Sequence, residues 1–182
     1  MIPRSLNLKN RLNLLKIISI ILLYTFFATG CTENENNKKK PKEYTHFYPS
    51  ERITSDIDRH ETVYVPVYSH VYTSDEKYEL MGITLSVRNT DFKQNMWIKK
   101  ISYYSTQGEL LESYVSKSHE LNPMASIDFV VDLNDIRGGS GANFIVEWEG
   151  SKTLSNPIIQ AVMVNNSGNK AFSFITNGEN LK

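Results

Sequence analysis

Beyond residue 62, apolar side chains recur at every second position in short runs broken by turn residues, a rhythm that fits strands and not helices. In the first run Val63, Val65, Val67, Ser69 and Val71 share one face, and Tyr64, Pro66, Tyr68, His70 and Tyr72 the other. In the second, Met81, Ile83, Leu85 and Val87 alternate with Gly82, Thr84, Ser86 and Arg88. Residues 97–105 read as a third strand, turned by Thr106-Gln107-Gly108-Glu109 into a hairpin partner over 110–115. Ile127, Phe129 and Val131, then Phe144, Val146 and Trp148, then 158–164 and 171–176 bring the total to about eight strands. This predicts an all-β chain whose residues 63–182 form an antiparallel β-sandwich, immunoglobulin-like in architecture, with a closed barrel as the alternative. The single cysteine rules out the paired-cysteine framework of antibody domains, so the likeness is one of architecture alone.

The first thirty residues follow different rules. Arg4, Lys9, Arg11 and Lys16 lie in a basic start, and residues 17–28 (IISIILLYTFFA) form an unbroken apolar run. That run fits the core of a secretory signal and falls short of the roughly 20 residues needed to span a bilayer. It ends in Phe27-Ala28-Thr29-Gly30-Cys31, which resembles a bacterial lipobox. Small side chains before the cysteine give a peptidase access to the bond, and the Cys31 thiol would carry the lipid. Residues 1–30 are therefore expected to be a lipoprotein signal peptide, with the mature chain membrane-anchored in the cell envelope. Thr32 follows the cysteine where an Asp would suggest inner-membrane retention, which points to the outer membrane in a cell that has two.

Residues 31–42 continue as TENENNKKKPK after the cysteine, too polar to bury surface, and read as a disordered tether. Residues 43–62 read as an arm whose Tyr44, Phe47, Tyr48 and Ile53 are available to pack on the domain. The formal neutrality of the whole chain is an effect of the leader. Without its four basic residues, sixteen Lys and Arg face twenty Asp and Glu, and no basic stripe remains. A mildly acidic mature domain of this kind argues against nucleic acid as a partner, since phosphate binding needs clustered cations.

Four segments carry a resemblance to a known family. Tyr64-Val65-Pro66-Val67-Tyr68-Ser69-His70-Val71-Tyr72, Leu85-Ser86-Val87-Arg88-Asn89-Thr90-Asp91, Gly138-Gly139-Ser140-Gly141-Ala142-Asn143-Phe144 and Asn156-Pro157 resemble the bacterial family called domain of unknown function 3124. The likeness spans about residues 63–178. It implies exported bacterial proteins, often lipoproteins, and no established activity to carry over.

Candidate chemistry is sparse. Ser69-His70 invites a hydrolase reading, but neighbours on a strand point to opposite faces, and no Gly-x-Ser-x-Gly elbow is present. The four histidines, at 46, 60, 70 and 119, show no metal-ligand spacing, so neither a metal nor a cofactor is expected. Asp132-Leu133-Asn134-Asp135 has calcium-like oxygens but lacks the glycine and closing glutamate of an EF-hand; an Asx turn is expected, with calcium as the side reading. The glycines at 138, 139 and 141 run into a strand with no Lys-Ser/Thr after them, which predicts a tight loop needing positive φ, not a phosphate cradle. What remains is a surface: Tyr64, Tyr68, His70 and Tyr72 on a strand that Pro66 marks as an edge, with Asn89, Asp91, Gly139, Ser140 and Asn143. The expected function is a non-enzymatic module that binds another envelope protein. The alternative is a small-ligand- or ion-binding accessory of an envelope enzyme or transporter.

Overall fold

The computed structural model describes residues 46–50, 57–166 and 171–182. The leader, Cys31 and the tether lie outside the described residues, as does part of the arm. Among the described residues no helix is long and apolar enough to cross a membrane.

The strands are β1 (Phe47–Pro49), β2 (Arg59–Val67), β3 (His70–Ser74), β4 (Lys77–Leu80), β5 (Gly82–Arg88), β6 (Met96–Tyr104) and β7 (Leu110–Val115). They continue as β8 (His119–Leu121), β9 (Ser126–Val131), β10 (Ala142–Gly150), β11 (Ile158–Asn165), β12 (Phe172–Asn177) and β13 (Glu179–Asn180). One sheet runs β1-β8-β6-β10-β2-β13 with β7 also on β6; a second runs β12-β11-β5-β9. Every pairing is antiparallel. The two sheets are separate ladders, so the chain is an all-β sandwich and the barrel alternative is not what forms.

Alternation explains the core. Val63, Val65 and Val67 of β2 meet Phe144, Val146 and Trp148 of β10 on the inner face of the larger sheet. Ile83, Leu85 and Val87, Ile159, Ala161 and Met163, and Ile127 and Val131 line the facing layer. The core therefore sits between two sheets whose inward residues are fixed by period two. Ile98 and Ile101 are both buried although three residues apart. A register shift opposite Glu147/Trp148 leaves Lys99 as the extra residue, and this bulge restores the inward alternation.

The expected first strand over 63–72 is broken. β2 ends at Val67 and β3 starts at His70, pairing only with β4 in a ribbon of its own. The cause lies in Ser69. Its N–H donates to the Gly139 carbonyl at 3.0 Å, its hydroxyl accepts from the Gly139 N–H at 2.9 Å, and its carbonyl accepts from Met81 at 2.9 Å. With both its backbone groups claimed outside any ladder, Ser69 cannot carry β2 onward. The short strands β1, β3, β4, β8 and β13 carry too few residues for a periodic signal, which is why about eight were expected.

Gly139 makes this junction possible. Its φ is +80°, and a Cβ there would collide with the Thr106 side chain. Thr106 in turn donates through its N–H and hydroxyl to Gly138, at 2.8 and 2.9 Å, and accepts from the Gly141 N–H at 2.9 Å. Gly139→Ala is expected to lower stability by about 1–3 kcal/mol, from the left-handed backbone and the lost approach, while Ser140→Ala stays within about 0.5 kcal/mol. Urea denaturation of the two variants checks the contrast.

Candidate functional site

The β3–β4 ribbon gathers three aromatic rings on one face. His70 and Tyr72 are two residues apart on β3, and Tyr78 lies directly across from Tyr72. Ring centroids are 5.2 Å apart for His70–Tyr72, 4.9 Å for His70–Tyr78 and 6.2 Å for Tyr72–Tyr78. Tyr72 is 60% exposed and Tyr78 51%, large values for rings that could have been folded inward. Pairing of Ser74 with Lys77 leaves Asp75 and Glu76 as the loop, so the rings stand behind an acidic tip. The base of the ribbon is tied down by the Ser69–Met81 bond and by Asn165 Nδ2, which donates to the Leu80 carbonyl at 2.8 Å.

The expected tyrosine stripe does not stay together. Tyr68, at the break, packs edge-on against Phe174 of the second sheet, with centroids 5.7 Å apart. Tyr64 stays within β2, half-buried opposite Ile145. Pro66 pairs with Asn143 on one side, beyond the two residues that β13 covers on the other, so its missing N–H breaks no ladder bond there. Ser69 and His70 also depart from expectation. Because the strand breaks between them and Val67, the Ser69 hydroxyl comes within 3.5 Å of His70 Nδ1 instead of facing away. That hydroxyl is fully buried and makes shorter bonds to Gly139, which is the role it serves here.

Gly139, Ser140 and Asn143 lie at the same end as the ribbon, since Ala142 pairs with Val67 where β2 stops. Asn89 and Asp91 lie at the other end, just past Arg88, which pairs with Ile158. The eight residue steps of β10 separate the two ends by about 26 Å, so His70 and Asn143 share no pocket with Asn89 and Asp91. Asp132 and Asp135 serve their own turn. Asp132 accepts from the Asn134 N–H at 2.9 Å, and Asp135 caps a 3-10 turn at Ile136–Gly138 while gripping Arg137 with both oxygens, at 2.8 and 2.7 Å.

Residues 60–181 match the family described as "Protein of unknown function (DUF3124)". The chain belongs to that family. No curated protein matches the sequence. A crystal structure of Thermotoga maritima 1070 superimposes with a TM-score of 0.42 over 65% of this chain and 92% of that one, at 13% identity. The DUF3124 match takes in both ends of the sandwich and begins well after Cys31.

In this DUF3124 chain, Asn89 and Asp91 are buried fasteners. Asn89 Nδ2 donates to the carbonyls of Gln94, Leu121 and Asn122, and its oxygen accepts from the Asp91 N–H at 3.0 Å. Asp91 accepts from the N–H groups of Lys93 and Gln94 on one oxygen and of Ser155 on the other. Those backbone bonds, Lys93 first, hold its carboxyl down at about 2 against an ordinary 3.8.

Behind the Ser155 contact lies a feature the strand pattern did not single out. A cavity of about 300 Å³ opens at this end, lined by Arg59, Trp148, Asn156, Glu179 and Asn180 among others. Arg59 stacks 4.6 Å over the Trp148 ring and donates to Glu61, the Leu154 carbonyl and Asn156 Oδ1. Of its polar lining, the sequence singled out only Asn156, within the family resemblance.

Asn89→Ala is expected to cost about 2–4 kcal/mol in denaturant unfolding, because three carbonyls lose one donor, and Asn89→Asp is not expected to rescue it, since a carboxylate cannot donate. The low Asp91 value gives a pH prediction with a definite sign. The folded state prefers the ionised form, so its contribution is present above about pH 4 and is lost as pH falls towards about 2. A pH titration of stability in wild type and Asp91→Asn should show a smaller acid-side loss in the variant over that window.

Proposed function

We propose that the protein is a non-enzymatic binding module of the bacterial cell envelope, exported and held at a membrane by a lipid on Cys31. The surface it offers to another envelope protein is the His70–Tyr72–Tyr78 face of the β3–β4 ribbon. The observation that carries this reading is the exposed ring cluster on a ribbon outside both sheets. Tyrosine brings large contact area at low conformational cost, and aromatic residues are enriched in the buried centres of interfaces. Loop residues Gly139, Ser140 and Asn143 border the ribbon at the same end and belong to this surface.

The lipid anchor rests on the sequence of residues 17–31. A polar tether after Cys31 would let the sandwich reach a partner while the lipid keeps it at the membrane. The cavity at the far end favours a second reading, a small-ligand accessory protein.

In-cell crosslinking of the tagged protein is expected to capture a defined partner that is lost in Tyr72→Ala/Tyr78→Ala. Thermal stability in that variant should change by no more than about 0.5 kcal/mol, as for other exposed positions. Capture that survives both changes would reject the ribbon as the surface. Cys31→Ser is expected to abolish labelling by a fatty-acid analogue and to move the protein from the membrane to the soluble fraction; labelling that persists would reject the anchor.

A further inference from the structure

We propose that the Arg59–Trp148 cavity binds a single neutral sugar ring. The proposal deepens the small-ligand reading and does not depend on the ribbon. Size is the first argument. At about 300 Å³ the cavity is at the lower end for small-molecule sites and has room for one ring.

Wall chemistry is the second. Arg59 uses three of its five N–H groups on Glu61, Leu154 and Asn156, which leaves two for a ligand and fixes the guanidinium plane in advance. Asn156 and Asn180 add amides that can donate and accept, and Glu179 adds an acceptor at the same wall. Planar polar groups in both roles match the paired hydroxyls of a sugar, each of which also donates and accepts.

Charge is the third. Arg59 is already paired with Glu61 at 2.6 Å, and Glu179 leaves the wall with a surplus negative charge. An anion would meet a neutralised guanidinium and an opposing carboxylate, so carboxylate and phosphate ligands are disfavoured. A neutral hydroxylated ligand incurs no such repulsion.

The fourth is Trp148. Its ring is 1% exposed, lines the cavity and lies 4.6 Å beneath the Arg59 guanidinium, so its emission reports on what the cavity holds. One wall, Arg59 with residues 154–157, is also held in place beforehand. Asp91 fixes Ser155, Thr90 Oγ1 donates to the Asn156 carbonyl at 2.7 Å, and Asn156 orients Arg59. Thr90 and Asp91 thus brace the 154–157 segment that carries this wall.

The test is a fluorescence titration of the full-length protein in a detergent without a sugar headgroup, carrying Trp97→Phe so that Trp148 is the only tryptophan. N-acetylglucosamine is the probe, with glutamate as the charged control. The expected result is a saturable change in Trp148 emission with the sugar and none with glutamate. Asn156→Ala and Asn180→Ala should each weaken binding about five- to tenfold while the melting transition remains cooperative. No saturable change with the sugar, or a change with glutamate alone, overturns the proposal. So does binding that neither asparagine substitution alters. Because Tyr72 and Tyr78 lie at the opposite end, partner capture through the ribbon is unaffected by these variants, and the two readings fail separately.

Discussion

The reciprocal bonding of Ser69 with Gly139 determines more of this structure than any other contact. One residue ends β2, releases the ribbon and closes the 136–141 loop, because its N–H, carbonyl and hydroxyl are all committed away from a ladder. Gly139 must be in the left-handed region for its N–H and carbonyl both to face Ser69, and only a residue without a Cβ fits beside Thr106. Next to it Gly138 approaches Tyr103 and Ala142 so closely that a side chain there would collide with both. Burial, and then the Asp135 carboxylate, push the Tyr103 phenol up to about 12, so the ring stays neutral beneath the loop. The local chemistry of one loop thus decides whether residues 70–80 extend a sheet or stand apart from it.

The opposite end is built differently. Here backbone groups are satisfied by side chains: three carbonyls by Asn89 and three N–H groups by Asp91, with Arg59 reaching Leu154 and Asn156. Buried networks of this kind are rigid where they are paired, and a network left half-made is worse than none. The two ends are therefore suited to different partners. A ribbon with exposed rings offers area, whereas a braced cavity offers fixed positions.

Legibility followed the physics of each signal. The long inner strands were readable because a sandwich core imposes period two on Val63, Val65 and Val67, on Ile83, Leu85 and Val87, and on Phe144, Val146 and Trp148. The break at Ser69 was not, since the alternation runs on unbroken through Tyr72 and the force that interrupts it comes from residue 139, seventy positions away. Tyr78 escaped notice for a local reason: its meeting with His70 and Tyr72 depends on a turn at Asp75-Glu76 that carries no Gly, Pro or Asn. Asn89 and Asp91 read as polar residues after a strand, equally compatible with a surface and with a buried fastener. Only their burial distinguishes the two. Arg59 and Trp148 belong to separate strands whose register brings the ring under the guanidinium, and no local pattern encodes register between strands ninety residues apart.

A two-stranded ribbon in isolation is marginal in water. This one persists because its base is welded to the sandwich through Met81 and Asn165, while its outer half, residues 72–78, is exposed. Packing of Val71 against the core anchors one face of the same base. The Tyr72 and Tyr78 rings beyond that anchor keep half or more of their surface exposed and are not part of the core, so the ribbon face stays available without cost to it. Stability at the base and exposure at the tip are separate properties here. Substitutions at Ser69 or Gly139 act on the fold, and those at Tyr72 or Tyr78 act on what the fold presents. That separation is what makes the ribbon a surface whose role can be measured independently of folding.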